Sequence, residues 1–192
     1  MLKQIRPALV LLLLMTALTG VIYPLVITLL SQAIWGSAAH GSLVKSGDVV
    51  VGSSLIGQSF ANPAYFQARP SGAGKGYDGT SSSGTNLGPT SKALIDAVRE
   101  RVAAARADGG TGPVPADLVT SSGSGLDPDL SVAAAEWQVE RVAHARGVAP
   151  QAIRELLSQQ VTRRDLGFLG APRINVLRLN LALDAKFPRP GR

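Results

Sequence analysis

From Pro7 to Val44 the chain contains no Asp, Glu, Lys or Arg, and between Ala8 and Trp35 it is dominated by Leu, Val, Ile, Ala and Thr. About 28 such residues at ~1.5 Å each make roughly 40 Å of helix, more than the ~30 Å hydrocarbon core of a bilayer. Residues 7–35 are therefore predicted to span a membrane with some tilt. Pro24 inside the run predicts a kink, which neighbouring groups can tolerate in lipid. Trp35 falls where an interfacial anchor would sit, and Gly20 with Thr16 and Thr19 offers a small-residue surface for another membrane helix. Lys3 and Arg6 are the only charged side chains before the run, so residues 1–6 are expected in the cytoplasm and 36–192 in an extracytoplasmic domain. A cleaved signal peptide is the alternative, because Ser37-Ala38-Ala39 supplies small residues. Signal-peptide apolar regions run only about 7–15 residues, which favours a retained anchor.

The whole chain is 192 residues, enough for one modest domain plus the apolar segment and too short for a large multidomain enzyme. With no Cys it can build no disulfide framework, thiolate zinc site, iron–sulfur cluster or Cys nucleophile. Beyond the apolar run, Val49 to Phe60 reads as strand-like, broken by Gly52 and Gly57, after a short polar link. Residues 61–91 are crowded with Gly, Ser, Thr, Asn and Pro, interleaved with Tyr65, Phe66 and Tyr77. Structureless stretches of that length are uncommon in compact domains and are usually functional, disordered or ordered by a partner.

Helical spacing of Leu94, Ile95, Val98 and Val102 predicts a helix after Pro89-Thr90-Ser91 that runs to Arg106, followed by a linker over 107–116 that includes Gly109-Gly110. A second Gly/Ser-rich loop covers 117–129. Ser131 can cap a helix to Arg146, with Val132, Ala135, Val139, Val142 and Ala143 on one face and Gly147 as its stop. Pro150 can start a shorter helix to about Gln160 that buries Ile153, Leu156 and Leu157. Leu177, Leu179, Leu181 and Leu183 alternate as in a strand, yet Asn175 could cap a helix there, and helix is favoured. The expected fold class is α+β: a single N-terminal transmembrane helix, then one extracytoplasmic domain with several helices and a few short strands.

Chemical motifs are sparse. Ser71-Gly72-Ala73-Gly74-Lys75-Gly76 is no P-loop, because Arg69 stands at the first glycine position and Gly76 at the magnesium-binding hydroxyl, so a surface loop is expected. Ser124 lacks the GxSxG elbow. His40 lies beside the membrane, and His144 reads as a solvated helix residue with Glu140 four positions before it. Asp127 and Asp129 are better explained by turn and cap chemistry than by a cation site. No catalytic residue and no metal ligand set is predicted. Without Lys3 and Arg6 the chain carries about +4, weighted to Arg163, Arg164, Arg173, Arg178, Lys186, Arg189 and Arg192. An outward location argues against nucleic acid and for a solvated face, lipid headgroups or an acidic partner.

Taken in order, the motifs resemble one family over nearly the whole length. They begin with Arg6-Pro7-Ala8, Thr19-Gly20 and Tyr23-Pro24, then Gly52-Ser53-Ser54-Leu55-Ile56-Gly57-Gln58-Ser59-Phe60, Tyr65-Phe66 and Arg69-Pro70-Ser71. Ser83 to Thr90, Asp117 to Pro128, Gln138 to Ala143 and Asn175 to Asp184 complete them. The chain resembles the C subunit of the Kdp-type potassium-transporting P-type ATPase of bacteria, with Thr85 where the family often has Ser and Asp129 where it often has His.

The resemblance implies a non-catalytic inner-membrane subunit beside a channel-like potassium-binding subunit, an ATP-hydrolysing P-type subunit and a small single-span subunit. The chain lacks the DKTGT phosphorylation motif, in keeping with an assisting role in coupling ATP hydrolysis to potassium uptake. The resemblance further implies an assembly factor and catalytic chaperone that raises ATP affinity in the complex, binding no tight cofactor itself, with Gln138 and Arg141 proposed to touch nucleotide. Topology places both outside, away from cytoplasmic ATP, and favours a domain that braces the outer entrance of the channel-like subunit. Thr19, Gly20, Tyr65, Arg69, Asn86 and Ser124 are then the expected docking residues. A membrane-anchored extracytoplasmic enzyme or solute-binding protein is the alternative, with a pocket around Arg69, Asn86 and Ser124.

Overall fold

The computed structural model describes residues 2–108 and 112–188, so the linker glycines Gly109 and Gly110 and the tail residues Arg189 and Arg192 lie outside the described residues. The fold is α+β and divides into two compact units, Met1–Ser53 and Ser54–Arg192.

In the first unit, α1 (Ile5–Ala17) and α2 (Tyr23–Ala39) are joined without a break by a π-helical turn, Leu18–Ile22. Together they form one helix, Ile5–Ala39, of mean hydropathy 2.4 with none of its residues buried. Pro24 explains the π turn. It has no N–H for the carbonyl four residues back, and its ring crowds that carbonyl, so the helix widens just before it. The Tyr23 amide accordingly donates to the Leu18 carbonyl. Thr19 Oγ1 donates back to the Met15 carbonyl at 2.7 Å, so its hydroxyl is satisfied within the helix. Helical geometry is interrupted at Trp35 (φ −128°, ψ 49°).

The polar link predicted after the helix is instead a strand. β1 (Leu43–Ser46) pairs antiparallel with β2 (Val49–Ser53), Leu43 opposite Ser53 and Ser46 opposite Val49. Strand character stops at Ser53 and does not reach Phe60. Gly57 shows what replaces it: its amide donates to Leu126 O at 2.8 Å, and a Cβ there would meet Asp127 O at 2.6 Å. This stretch is held against the 126–127 turn, at a distance only glycine permits.

The second unit contains α3 (Lys92–Ala107), β3 (Asp129–Ser131), α4 (Val132–Trp137), α5 (Val139–Arg146), α6 (Pro150–Gln160), β4 (Arg173–Asn175) and α7 (Val176–Lys186). β3 and β4 form a three-rung antiparallel pair, each strand leading straight into a helix. The caps follow the sequence: Ser131 Oγ accepts from Ala134 N at 3.2 Å, and Asn175 Oδ1 from Arg178 N at 3.1 Å. Gly147 ends α5 with φ +67°. Asn175 thus settles the tail as helix, with Val176, Leu177, Leu179 and Leu183 buried.

The helix expected over 131–146 is divided at Gln138, whose amide reaches back three residues to Ala135 O rather than four. Across this tightened turn Ala135, Val139, Val142 and Ala143 stay in the core, and Gln138 is itself buried. They pack with Ile153, Leu156 and Leu157 of α6 and Ile174, Leu179 and Leu183. By contrast, no residue of α3 is buried, although its apolar residues recur at helical spacing.

Candidate functional site

Residues 54–91 contain no helix or strand, yet Ala64, Phe66, Ala68 and Ala73 are buried, and Phe66 is fully enclosed in the core. A buried loop has no sheet neighbour for its backbone groups, and each unpaired group is costly. Two carboxamides replace that neighbour. Asn180 Oδ1 accepts from Phe66 N at 2.9 Å while its Nδ2 donates to Phe66 O at 2.8 Å. Gln138 does the same to the next residue: Oε1 accepts from Gln67 N at 2.8 Å, and Nε2 donates to Gln67 O at 3.1 Å. Successive residues of an extended chain present their polar groups to opposite sides. The loop therefore passes between α7 and the α4–α5 junction, gripped from each by one side chain.

Two arginines extend the grip. Arg141 Nη2 donates to Gln138 Oε1 at 2.7 Å and Nη1 to Tyr65 O at 3.1 Å and to Pro63 O, while Nε lies 3.4 Å from Asp108 Oδ2. Burial lowers the Arg141 guanidinium from its ordinary range, and the Asp108 charge opposes that shift. Arg146, its side chain wholly buried, donates to Ala64 O at 2.8 Å and Phe187 O at 2.7 Å and pairs with Asp184 at 2.8 Å. Its guanidinium also stacks 4.9 Å from the Tyr65 ring centroid, and the Tyr65 hydroxyl donates to the same Asp184 at 2.7 Å.

A second cluster joins the other glycine-rich loops. Arg69 pairs with Asp127 at 2.9 Å, and Asp127 also accepts from Asp129 N at 3.0 Å; Asp129 in turn lies 3.3 Å from Arg173. Ser71 Oγ donates to Gly125 O at 2.6 Å and accepts from Tyr77 N at 2.7 Å. Ser71 to Gly76 is thus a pinned turn with Ala73 buried inside it, and burial pushes the Tyr77 phenol up. Ser124 O accepts from Ser83 N and Ser82 Oγ, both at 3.0 Å.

The expected site residues therefore separate. Gln138 and Arg141 are bonded to each other and share the loop with Tyr65. Arg69 and Ser124 lie in the second cluster, Asn86 is exposed with φ +53°, and Thr19 and Gly20 lie on the apolar helix of the other unit. His144 is exposed, and Glu140 is bonded at 2.8 Å to Arg154. Sequence reasoning missed Asn180, Arg146 and Asp184. The available signal was a polar residue in the apolar stripe of a helix, which must find a partner when buried.

Between α3 and the α4–α5 junction lies a cavity of about 220 Å³ lined by Gln67, Arg101, Ala104, Asp108, Leu118, Trp137, Gln138 and Arg141, among others. The Trp137 indole N–H is buried without a hydrogen-bond partner among the described residues.

One apolar helix long enough to cross a membrane precedes a small α+β unit whose loops are clamped by its own side chains. Comparison with known proteins makes the class specific. The family KdpC, described as K+-transporting ATPase, c chain, matches residues 5–185. The potassium-transporting ATPase KdpC subunit of Rhodospirillum rubrum is 53% identical over 190 residues, 98% of either chain. Those of Caulobacter vibrioides and Sorangium cellulosum are 52% and 54% identical over 189 and 187 residues, covering 98% and 96% of this chain and 96% and 98% of theirs. The chain belongs to the KdpC family. It is a membrane-anchored subunit of a potassium-transporting ATPase complex.

Proposed function

We propose that this chain is a non-catalytic accessory subunit that assembles and stabilises the complex coupling ATP hydrolysis to potassium uptake. Its helix packs against the channel-like potassium-binding subunit through the face of Thr19 and Gly20, and its second unit braces the outer entrance of that subunit. The ATP-hydrolysing subunit and the small single-span subunit complete the assembly. Lys3 and Arg6 favour a cytoplasmic N-terminus and an extracytoplasmic second unit in the inner membrane.

The observation that carries this reading is the use of Gln138 and Arg141. All polar capacity of the Gln138 carboxamide is engaged, by Gln67, Ala134 and Arg141, and Arg141 is committed to loop carbonyls and Asp108. Such a pair supports scaffold architecture. The adjoining cavity of about 220 Å³ carries the carboxylate of Asp108 and is below the roughly 300–1,000 Å³ of ordinary small-molecule sites. That weighs against a chaperone action through direct nucleotide contact, and against a separate enzyme or solute-binding role.

The test is Gln138→Ala in the purified complex. Lower thermal stability of this subunit with an unchanged KM for ATP is expected; assembly intact with a selectively raised KM would establish coupling to nucleotide instead. Co-purification of the other subunits with the tagged chain, with potassium-stimulated ATPase lost on its removal, tests the accessory role itself.

A further inference from the structure

Residues 162–172 are all exposed and form a hairpin that leaves the body between α6 and β4. Its base is closed by Thr162 N to Arg173 O at 2.8 Å and Arg173 N to Thr162 O at 3.0 Å. Its tip is closed by Asp165 N to Leu169 O at 3.0 Å and Leu169 N to Asp165 O at 2.9 Å. The tip carries Leu166 and Phe168, 83% and 69% exposed. Leu166 sits at φ +52°, a left-handed conformation that Gly or Asn adopts readily and Leu does not. A large apolar side chain is thus held at the most exposed point of the turn, against both its hydration and its backbone preference.

The charges around it that have no ion-pair partner among the described residues have one sign. Asp165, the single acid of the hairpin, is offset by Arg173 at 3.3 Å, and Arg173 also anchors the base to Asp129 at 3.3 Å. Arg163 and Arg164 have no ion pair among the described residues. An apolar knob with a cationic rim has the anatomy of half an interface, since apolar anchors at the centre of a contact are normally rimmed by polar groups.

We propose that this hairpin is a docking knob for another subunit of the same ATPase, inserting Leu166 and Phe168 into an apolar socket edged by carboxylates that receive Arg163 and Arg164. The fixed, strained turn decides between this occupant and lipid. A fluid bilayer rewards apolar area and positive charge whatever the turn geometry, whereas a shaped socket rewards a side chain held in one place. The proposal rests on membership of the complex and not on the bracing role or the membrane orientation.

A photo-reactive benzophenone amino acid in place of Phe168, in the full chain within the detergent-solubilised complex, is expected to give a covalent adduct with another ATPase subunit at a segment where Asp or Glu flanks apolar residues. Adducts only with phospholipid, or only within this chain, overturn the proposal; lipid adducts would reassign the knob to the bilayer. Leu166→Gly separates docking from folding, because glycine suits φ +52°. This variant is expected to be at least as stable as the parent, while recovery of the other subunits on the tagged chain falls roughly tenfold as salt rises. Unchanged recovery across that series would also overturn the proposal.

Discussion

In Met1–Ser53 the helix Ile5–Ala39 satisfies its own backbone and leaves its apolar side chains outside, so the sequence pattern alone nearly determines it. In Ser54–Arg192 the arrangement is inverted. The apolar side chains are packed inside, but one of the segments they belong to has no regular structure, and polar side chains from distant helices must hold its backbone. The first unit depends on its solvent being lipid. The second depends on four side chains, Gln138, Arg141, Arg146 and Asn180, that act in place of a sheet. The three-rung pair of β3 and β4 cannot supply that order itself, because small isolated strand pairs are marginal in water.

The difference predicts where each unit is vulnerable. Phe66→Ala removes a fully enclosed ring from what looks like a loop and should cost about 3–5 kcal/mol, as for a core helix residue. A cost below about 1 kcal/mol in denaturant unfolding of the full chain in detergent would show that the loop is an accessory to the core rather than part of it. Asp184→Ala leaves the buried Arg146 cation without its counter-charge and should cost about 3 kcal/mol. Asn180→Ala strands the amide and carbonyl of Phe66 together and should cost roughly 2 kcal/mol, without altering the helical signal of the first unit.

Gly20→Leu probes the other side of the comparison. A Cβ at Gly20 approaches nothing nearer than Thr16 Cγ2 at 4.0 Å, so a side chain fits the isolated helix. Unchanged helicity with reduced recovery of the complex is the expected outcome. Normal assembly would remove Gly20 from the packing face.

Legibility in the sequence follows the range of the interaction. The membrane run, the Ser131 and Asn175 caps, the Gly147 stop and the Pro150 start involve neighbours within a turn, and their residues announce them. Asn175 tilted the reading of the leucines that follow it toward helix without deciding it, and the cap it forms bears that leaning out. The i, i+3 spacing of Gln138 and Arg141 correctly put them together. It could not show that they hold Tyr65 and Gln67, which are some 70 residues away and carry no mark of being gripped. Nor could composition distinguish a pinned polar loop from a free one, since Ser71, Arg69 and Ser124 find their partners across two glycine-rich segments that look alike. The Val49–Phe60 run was over-extended for the same reason: Gly57 is a contact glycine whose neighbour, Asp127, is remote in sequence.

The smallest expected effect again concerns the asymmetry between the units, and it is read through acid. No Asp or Glu lies between Pro7 and Val44, so protonating carboxylates should leave the long helix unaltered while loosening the second unit. Asp78 is the test group, its carboxyl held below the usual value by hydrogen bonds from the Thr80 hydroxyl at 2.7 Å and the Thr80 amide at 2.9 Å. A folded-state pKa lower than the unfolded one contributes stability that is present above the unfolded value, 3.8, and is lost as pH falls through the folded value. Asp78→Asn should therefore lower the melting temperature slightly at pH 7 and make no difference once the pH is well below that window. Side-chain carbonyl shifts followed by NMR between pH 6 and 2 would check the direction. A midpoint for Asp78 above that of a free aspartate would show that this turn is not preorganised, and that the glycine-rich loops are held only where Arg69, Ser71 and Asp127 bind them.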